Sequence, residues 1–190
     1  MARSRPHRDR DRRPAATLTS DRLRGVRLER IIELDNVRLS VRDWPGFSTP
    51  FVCVPDPYRA APLVDHLASV FAPHRRVLSI EPRLGVAYQV AAADLLDALA
   101  QFGFTAPVLL GEGLGCLPAL LVATWHPDRV GRLILLDPTC TPPADDTPEA
   151  RALRDCPPDW SALRSRLSCP VFETTATAPD LVERIEAFLL

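Results

Sequence analysis

Residues 109–127 read LLGEGLGCLPALLVATWHP, and together with the residues on either side they contain three successive patterns. The apolar run PVLL (107–110) is typical of a buried strand. The three alternating glycines of GEGLG (111–115) favour a sharp turn that leaves little room for side chains. The apolar run LPALLVATW then predicts a helix that ends at His126, because a residue before proline avoids the helical conformation. The stretch therefore predicts a strand joined to a helix by a sharp turn.

Strands and helices alternate on both sides of this stretch. The strands that are followed or preceded by helical patterns are continuous apolar runs, which is expected where a parallel sheet buries both faces. Nearer the start, IIELDNVRLSVRDW alternates apolar and polar residues around Asp35-Asn36 and predicts an antiparallel hairpin. Residues 28–190 are therefore predicted to form one α/β domain, a three-layer α/β/α sandwich with a mostly parallel sheet. Further strands are predicted at 51–55, 76–82, 132–138 and 169–175.

The charge is unevenly distributed along the chain. Residues 1–30 contain ten arginines and four acidic residues, although the whole chain carries a net charge of only −1. Residues 1–27 are therefore predicted to be a disordered arginine-rich arm. A contact of this arm with nucleic acid is a weaker alternative, because the arm has no aromatic side chain that would stack on bases.

The cysteines and the hydropathy indicate the compartment. The five cysteines are odd in number and widely spaced, with neither a C-x-x-C pair nor a disulfide framework. Reduced thiols in the cytoplasm are therefore expected. No apolar stretch approaches the roughly 18 residues of a membrane span, so no membrane contact is expected. The sequence predicts no metal site and no cofactor.

The segment VLLGEGLGCLPALLVATWHPDRVGRLILLDP (108–138) resembles the strand, nucleophile elbow, helix and next strand of the α/β-hydrolase superfamily. This resemblance implies a minimal α/β-hydrolase fold, in which the usual lid is reduced to the proline-rich stretch 139–159. It also implies that one strand–helix pair near the C-terminus is missing, and it leaves open whether the last strand (169–175) corresponds to the seventh or the eighth strand of the family. A protein partner or a second copy of the chain is expected to cover such a trimmed sheet edge.

The residues that would carry the family's chemistry are replaced. Gly113 stands at the position of the nucleophile in G-x-S-x-G and has no side chain. The oxyanion hole would use the N–H of Leu114 and a donor from the loop after the third strand, but Pro55 lacks an N–H and Asp56 would repel an oxyanion. The family's base is a histidine near the C-terminus, and no histidine follows His126. These replacements predict a catalytically inactive pseudo-hydrolase that serves as a binding or structural module.

Other features of the resemblance are retained. Gly111 and Gly115 keep the small residues that let the strand and the helix approach closely. Asp137 and Glu173 are candidates for the carboxylate that orients a base. Since there is no histidine to orient, Asp137 is expected to cap a turn at the end of its strand.

Two alternative functions stay open. Cys116, in the first turn of the helix, is a candidate displaced nucleophile of an active hydrolase, esterase or acyltransferase, because a helix N-terminus lowers the pKa of a thiol. The glycine-rich loop 111–116 is a candidate nucleotide or phosphate site, although it has no Walker lysine and contains an acidic residue. The residues expected to line a pocket at the carboxyl ends of the strands are Glu112, Leu114, Asp56, Tyr58 and Glu81.

Overall fold

The computed structural model describes residues 26–35, 37–139, 141, 144, 146–155 and 157–190. The predicted arginine-rich arm lies outside the described residues up to residue 25, as do Asn36 of the predicted hairpin turn and two cysteines, Cys140 and Cys156. Within the described part, no helix has the length and apolar character needed to cross a membrane.

One sheet runs through the described residues. Its strands are β1 (Leu28–Leu34), β2 (Val37–Trp44), β3 (Phe51–Val54), β4 (Val77–Ile80), β5 (Val108–Glu112), β6 (Arg132–Leu136) and β7 (Val171–Thr174). They lie in the order β1-β2-β4-β3-β5-β6-β7. β1 with β2 and β2 with β4 are antiparallel, and all the other pairs are parallel. This confirms the predicted mostly parallel sheet with an antiparallel N-terminal hairpin.

Helices cover both faces of the sheet. They are α1 (Pro62–Phe71), α2 (Tyr88–Gln101), α3 (Cys116–Trp125), α4 (Pro148–Asp155), α5 (Trp160–Ser165) and α6 (Leu181–Leu189). One apolar cluster joins α2 and α3 to the sheet, and a second cluster joins α1 and α6 to the opposite face. The three layers predicted from the strand–helix alternation are therefore present.

The alternation of apolar and polar residues in β2 decides which of its faces is buried. Leu39 and Val41 are buried in the cluster with α2 and α3. The intervening residues, Arg38, Ser40 and Arg42, point to the opposite face because side chains alternate along a strand. In contrast, every residue of β3 and β4 is buried, as their continuous apolar sequences predict.

The last strand occupies the position next to β6. The two strands pair in parallel, with Leu133 opposite Val171, and the correspondence of β7 to the seventh or the eighth strand of the family stays open. β7 forms the edge of the sheet in the described part of the chain. The expected partner or second copy at this edge stays a prediction.

The proline-rich stretch 139–159, which the resemblance implied to be a reduced lid, contains helix α4. Pro148 takes the first position of this helix, where proline is tolerated. The hydroxyl of Thr147 accepts the N–H of Ala150 at 3.1 Å and caps the first turn. Ala150 and Leu153, one turn apart, are buried. The cap at Thr147 and the burial of Ala150 and Leu153 therefore stabilise a helix in a segment whose many prolines disfavour one.

Candidate functional site

Two glycines hold the turn between β5 and α3 against the end of β3. A Cβ atom on Gly115 would lie 2.1 Å from the carbonyl oxygen of Val54, and one on Gly111 would lie 2.5 Å from the Cα atom of Cys116. Neither position has room for a side chain. The glycines therefore allow the close approach of strand, turn and helix that was expected of them.

Gly113 stands at the tip of this turn. Its backbone is left-handed, with φ of +55°, a conformation that glycine adopts without the cost a Cβ atom brings. A Cβ atom on Gly113 would lie 2.3 Å from Oδ2 of Asp56. The space in which a nucleophilic side chain would begin is therefore filled by the carboxylate of Asp56.

Two backbone N–H groups hold this carboxylate. Leu114 N–H donates to Oδ2 of Asp56 at 3.2 Å, and Tyr58 N–H donates to Oδ1 at 2.9 Å. In hydrolases of this fold, the N–H of the residue after the nucleophile stabilises the oxyanion. Here that N–H is bonded to a carboxylate from the loop after β3, and Pro55 in the same loop has no N–H. Asp56 was predicted to repel an oxyanion, and its carboxylate in fact occupies the N–H group to which an oxyanion would bind.

Glu112, the last residue of β5, adds a second carboxylate beside the elbow. It is 7% exposed. Burial raises the pKa of the Glu112 carboxyl, the nearby Arg59 opposes the rise, and the charges of Asp56 and Asp137 reinforce it. Three carboxylates, those of Asp56, Glu112 and Asp137, therefore lie close together at the C-terminal ends of the strands.

We expect Glu112→Gln to gain stability relative to the wild type as the pH rises. Because the folded-state pKa of Glu112 is raised, this group stabilises the protein fully below the unfolded pKa of about 4.3, and that contribution is lost as the pH rises through the folded pKa. The amide has no such proton to lose. Urea unfolding at about pH 4.5 and about pH 7.5 measures the difference between variant and wild type.

The matched control is Glu186→Gln, at an exposed position on α6. The difference in the free energy of unfolding between Glu186→Gln and the wild type should change little between the two pH values. If the difference for Glu112→Gln stayed equally constant, burial of the carboxyl would not govern its protonation.

The three heavy atoms that a Cβ on Gly113 would meet first all belong to Asp56, and none belongs to a described histidine. His66 on α1 and His74 after that helix are exposed, and the serine hydroxyls beside them donate to their backbone carbonyl oxygens. His126 follows the last residue of α3, so roughly 15 Å of helix separates it from the elbow. The fourth histidine, His7, lies outside the described residues.

The two candidate orienting carboxylates bind other groups. Oδ2 of Asp137 accepts the N–H of Ala176 at 3.2 Å, and Glu173 pairs with Arg164. Asp137 therefore caps a turn, but this turn belongs to the loop between β7 and α6. That loop is where the family resemblance would place the histidine.

Cys116 is buried, which corrects the expectation that its thiol is activated. Its side chain is 0% exposed, and its Sγ–H donates to the carbonyl oxygen of Leu136 at 3.5 Å. Burial raises the pKa of the Cys116 thiol, and the hydrogen bond to Leu136 only partly opposes the rise. The expected lowering by the helix N-terminus is wrong, because the first turn of α3 lies inside the core. The geometry argues against a displaced nucleophile here.

The glycine-rich loop 111–116 offers no open anion site. All six of its residues are buried. The N–H of Leu114 is bonded to Asp56, and the Glu112 carboxyl lies beside it. Phosphate would meet two carboxylates at this point, so the geometry also argues against the predicted phosphate loop. Within the described ranges, no three His, Cys, Asp or Glu side chains converge as a metal site would require.

A cavity of about 520 Å³ lies next to the elbow. Of the five residues expected to line a pocket, Asp56 and Glu81 line this one. Glu112 and Leu114 are buried beside it, and Tyr58 is exposed. Sequence reasoning missed the cavity's arginines, which come from β2 and from the loops after β3 and β4. The only available signal was the outward position of Arg38 and Arg42 in the alternating hairpin strand.

No family model matches the chain, and no curated protein matches it. Among solved structures, an alpha/beta hydrolase from Novosphingobium aromaticivorans is 28% identical, with a TM-score of 0.52 over 57% of this chain and 43% of that one. Cfl2 from Burkholderia cenocepacia is 22% identical, with a TM-score of 0.54 over 62% and 44%. The enol-lactonase from Burkholderia xenovorans is 16% identical, with a TM-score of 0.53 over 58% and 47%.

These similarities are partial, since the chain matches less than half the length of each of these three structures. They agree with the strand order, the antiparallel hairpin and the strand–elbow–helix unit described above. The described part of this chain has the fold of the α/β-hydrolase superfamily.

Proposed function

We propose that this chain is a pseudo-hydrolase, an α/β-hydrolase-fold protein that binds a ligand or partner without hydrolysing it. The observation that carries the proposal is the carboxylate of Asp56, which fills the space in front of Gly113 and accepts the N–H of Leu114. A single side chain thereby takes the place of both the nucleophile and the oxyanion. The predicted cytoplasmic location and protein partner stay predictions.

Hydrolysis in this fold needs oxyanion-hole N–H groups that are available to the substrate oxygen. Loss of one such donor typically lowers the rate by about 10²–10³-fold. Here the donor is satisfied by a charged acceptor, and a substrate would have to displace this acceptor. A negative charge held at the same point also disfavours the negative transition state. The alternative of an active esterase therefore needs a rearranged loop after β3.

We expect neither the wild type nor Gly113→Ser to release nitrophenolate from p-nitrophenyl acetate or butyrate faster than buffer. The serine Cβ atom would collide with Oδ2 of Asp56, and the three heavy atoms nearest to it belong to Asp56 rather than to a histidine. The double variant Asp56→Ala/Gly113→Ser removes the collision and frees the Leu114 N–H, but it still lacks a base. Steady-state and burst-phase absorbance measure all three proteins.

Gly103→Ser is the matched control for folding, because Gly103 also has a positive φ, +70°, but no atom within 4 Å of an added Cβ. Gly103→Ser should lower the free energy of unfolding by about 1 kcal/mol, the cost of a side chain at a positive φ. Gly113→Ser should lower it by more. A nitrophenolate burst from the wild type, equal in amount to the protein, would overturn the proposal.

A further inference from the structure

The cavity beside the elbow is rich in arginine. It lies between the outer face of β2, the loop after β3 and the loop after β4, and its lining includes four arginines and two acidic residues. These charged residues are Arg38, Arg42, Arg59, Arg83, Asp56 and Glu81. The cavity volume of about 520 Å³ is within the range of small-molecule sites.

Both acidic residues of the lining already have partners. The Asp56 carboxylate accepts two backbone N–H groups, those of Leu114 and Tyr58. Oε1 of Glu81 lies 3.5 Å from Nε of Arg42. The lining holds four arginines and two acidic residues. Acidic residues pair with Arg38, Arg42 and Arg83, and Arg59 is the lining arginine for which the described residues provide no ion pair.

Two arginines are available to a ligand. Among the described residues, the guanidinium of Arg59 has no hydrogen bond or ion pair, and its charge opposes the rise in the pKa of the Glu112 carboxyl. Arg38 pairs with Glu33 at 2.9 Å, but the two side chains are 75% and 67% exposed. Such a surface pair contributes little and is easily exchanged for a ligand.

The other two arginines of the lining are held in place by ion pairs. Arg83 pairs with Asp94 through two contacts of 2.7 and 3.1 Å. Arg42 donates to Asp65 at 2.9 Å, and its Nε lies 3.5 Å from Oε1 of Glu81.

The start of α1 adds to the positive potential. Ala60 and Ala61 line the cavity, and Ala61 caps α1 without a side-chain acceptor for its first N–H groups. The positive end of the helix dipole therefore adjoins the cavity. Asp65 in the first turn offsets part of this potential, although Arg42 pairs with it.

We infer that this cavity binds a small organic anion that carries phosphate or carboxylate groups, held mainly by Arg59 and Arg38. The guanidinium fork matches both kinds of oxyanion and donates two hydrogen bonds to either. This inference rests on the proposed binding function and names its ligand class. The site is separate from the glycine-rich loop, whose donor is taken by Asp56.

Isothermal titration calorimetry of the full chain tests the inference, with pyrophosphate and citrate as separate probes at constant ionic strength. The wild type should bind at least one probe saturably. Arg59→Gln should weaken that binding about tenfold, the loss expected for one charge-assisted contact. Glu33→Gln should tighten it about twofold, because it releases Arg38 from its surface pair.

Arg184→Gln is the matched control. It removes one arginine charge from α6, at the opposite end of the sheet, and should leave the affinity within about twofold. Binding of pyrophosphate alone assigns a phosphate ligand, and binding of citrate alone assigns a carboxylate ligand. The inference is overturned if neither probe binds, or if Arg184→Gln weakens binding as much as Arg59→Gln. Either failure leaves the ester-hydrolysis result unaffected.

Discussion

Gly115→Ala is expected to lower the free energy of unfolding by roughly 3 kcal/mol or more. Gly115 has φ of −62° and ψ of −17°, which alanine adopts freely, so backbone strain does not contribute. The cost comes from contact, since the added Cβ atom would lie 2.1 Å from the carbonyl oxygen of Val54 and 2.6 Å from that of Pro55. Both are backbone atoms that cannot rotate away, so β3 must separate from the elbow.

Urea unfolding measures this loss, and Gly85→Ala is the matched control. Gly85 has φ of +71°, and an added Cβ atom would have its nearest neighbour at 3.9 Å. Its cost should therefore be the conformational one alone, about 1 kcal/mol. Equal losses for the two variants would mean that the elbow does not depend on close contact with β3.

Asp43→Ala is expected to cost about 3 kcal/mol, because it removes a buried carboxylate and leaves the partly buried Arg76 guanidinium, 27% exposed, without its partner. Asp43 is 0% exposed and accepts two hydrogen bonds from Arg76, at 2.8 and 3.1 Å. Arg30 lies 3.4 Å away as a further cation. The Arg76 guanidinium stacks over Phe102 and Phe104, so it would remain against apolar rings after Asp43 is removed.

Glu33→Ala, in the same hairpin, is the matched control. It removes the exposed pair with Arg38 and should change stability by less than about 0.5 kcal/mol. Thermal and urea unfolding of both variants provide the comparison. A small loss for Asp43→Ala would show that Arg76 finds adequate solvation at the surface.

If the chain is a pseudo-hydrolase as proposed, the elbow holds the loop after β3 in place and does not present a nucleophile. The turn that exposes a nucleophile in hydrolases here receives a carboxylate from the loop after β3, and this contact joins that loop to the turn before α3. The same loop carries Arg59 into the neighbouring cavity. One conformation of this loop therefore places Asp56 in front of Gly113 and also places Arg59 in the lining of the proposed anion-binding cavity.

Much of the fold could be predicted from local patterns. The alternation in β2 and the apolar runs of β3 to β6 depend only on which faces of a strand are buried, and that information is periodic along the chain. The exception is α4, where capping by Thr147 and burial of Ala150 and Leu153 overcame a stretch rich in proline. Burial of this kind depends on distant elements, which no local window contains.

The sequence by itself determined that position 113 has no side chain, that no histidine follows His126, and that the strands alternate with helices in this order. Only the tertiary structure decided that the Asp56 carboxylate, 58 residues before Leu114, fills the elbow, and that burial at the start of α3 raises the pKa of the Cys116 thiol. The arginine-lined cavity was likewise decided by packing. The physical reason is that residue identity and periodicity are local, whereas burial, electrostatic environment and contact depend on which distant segments the sheet brings together.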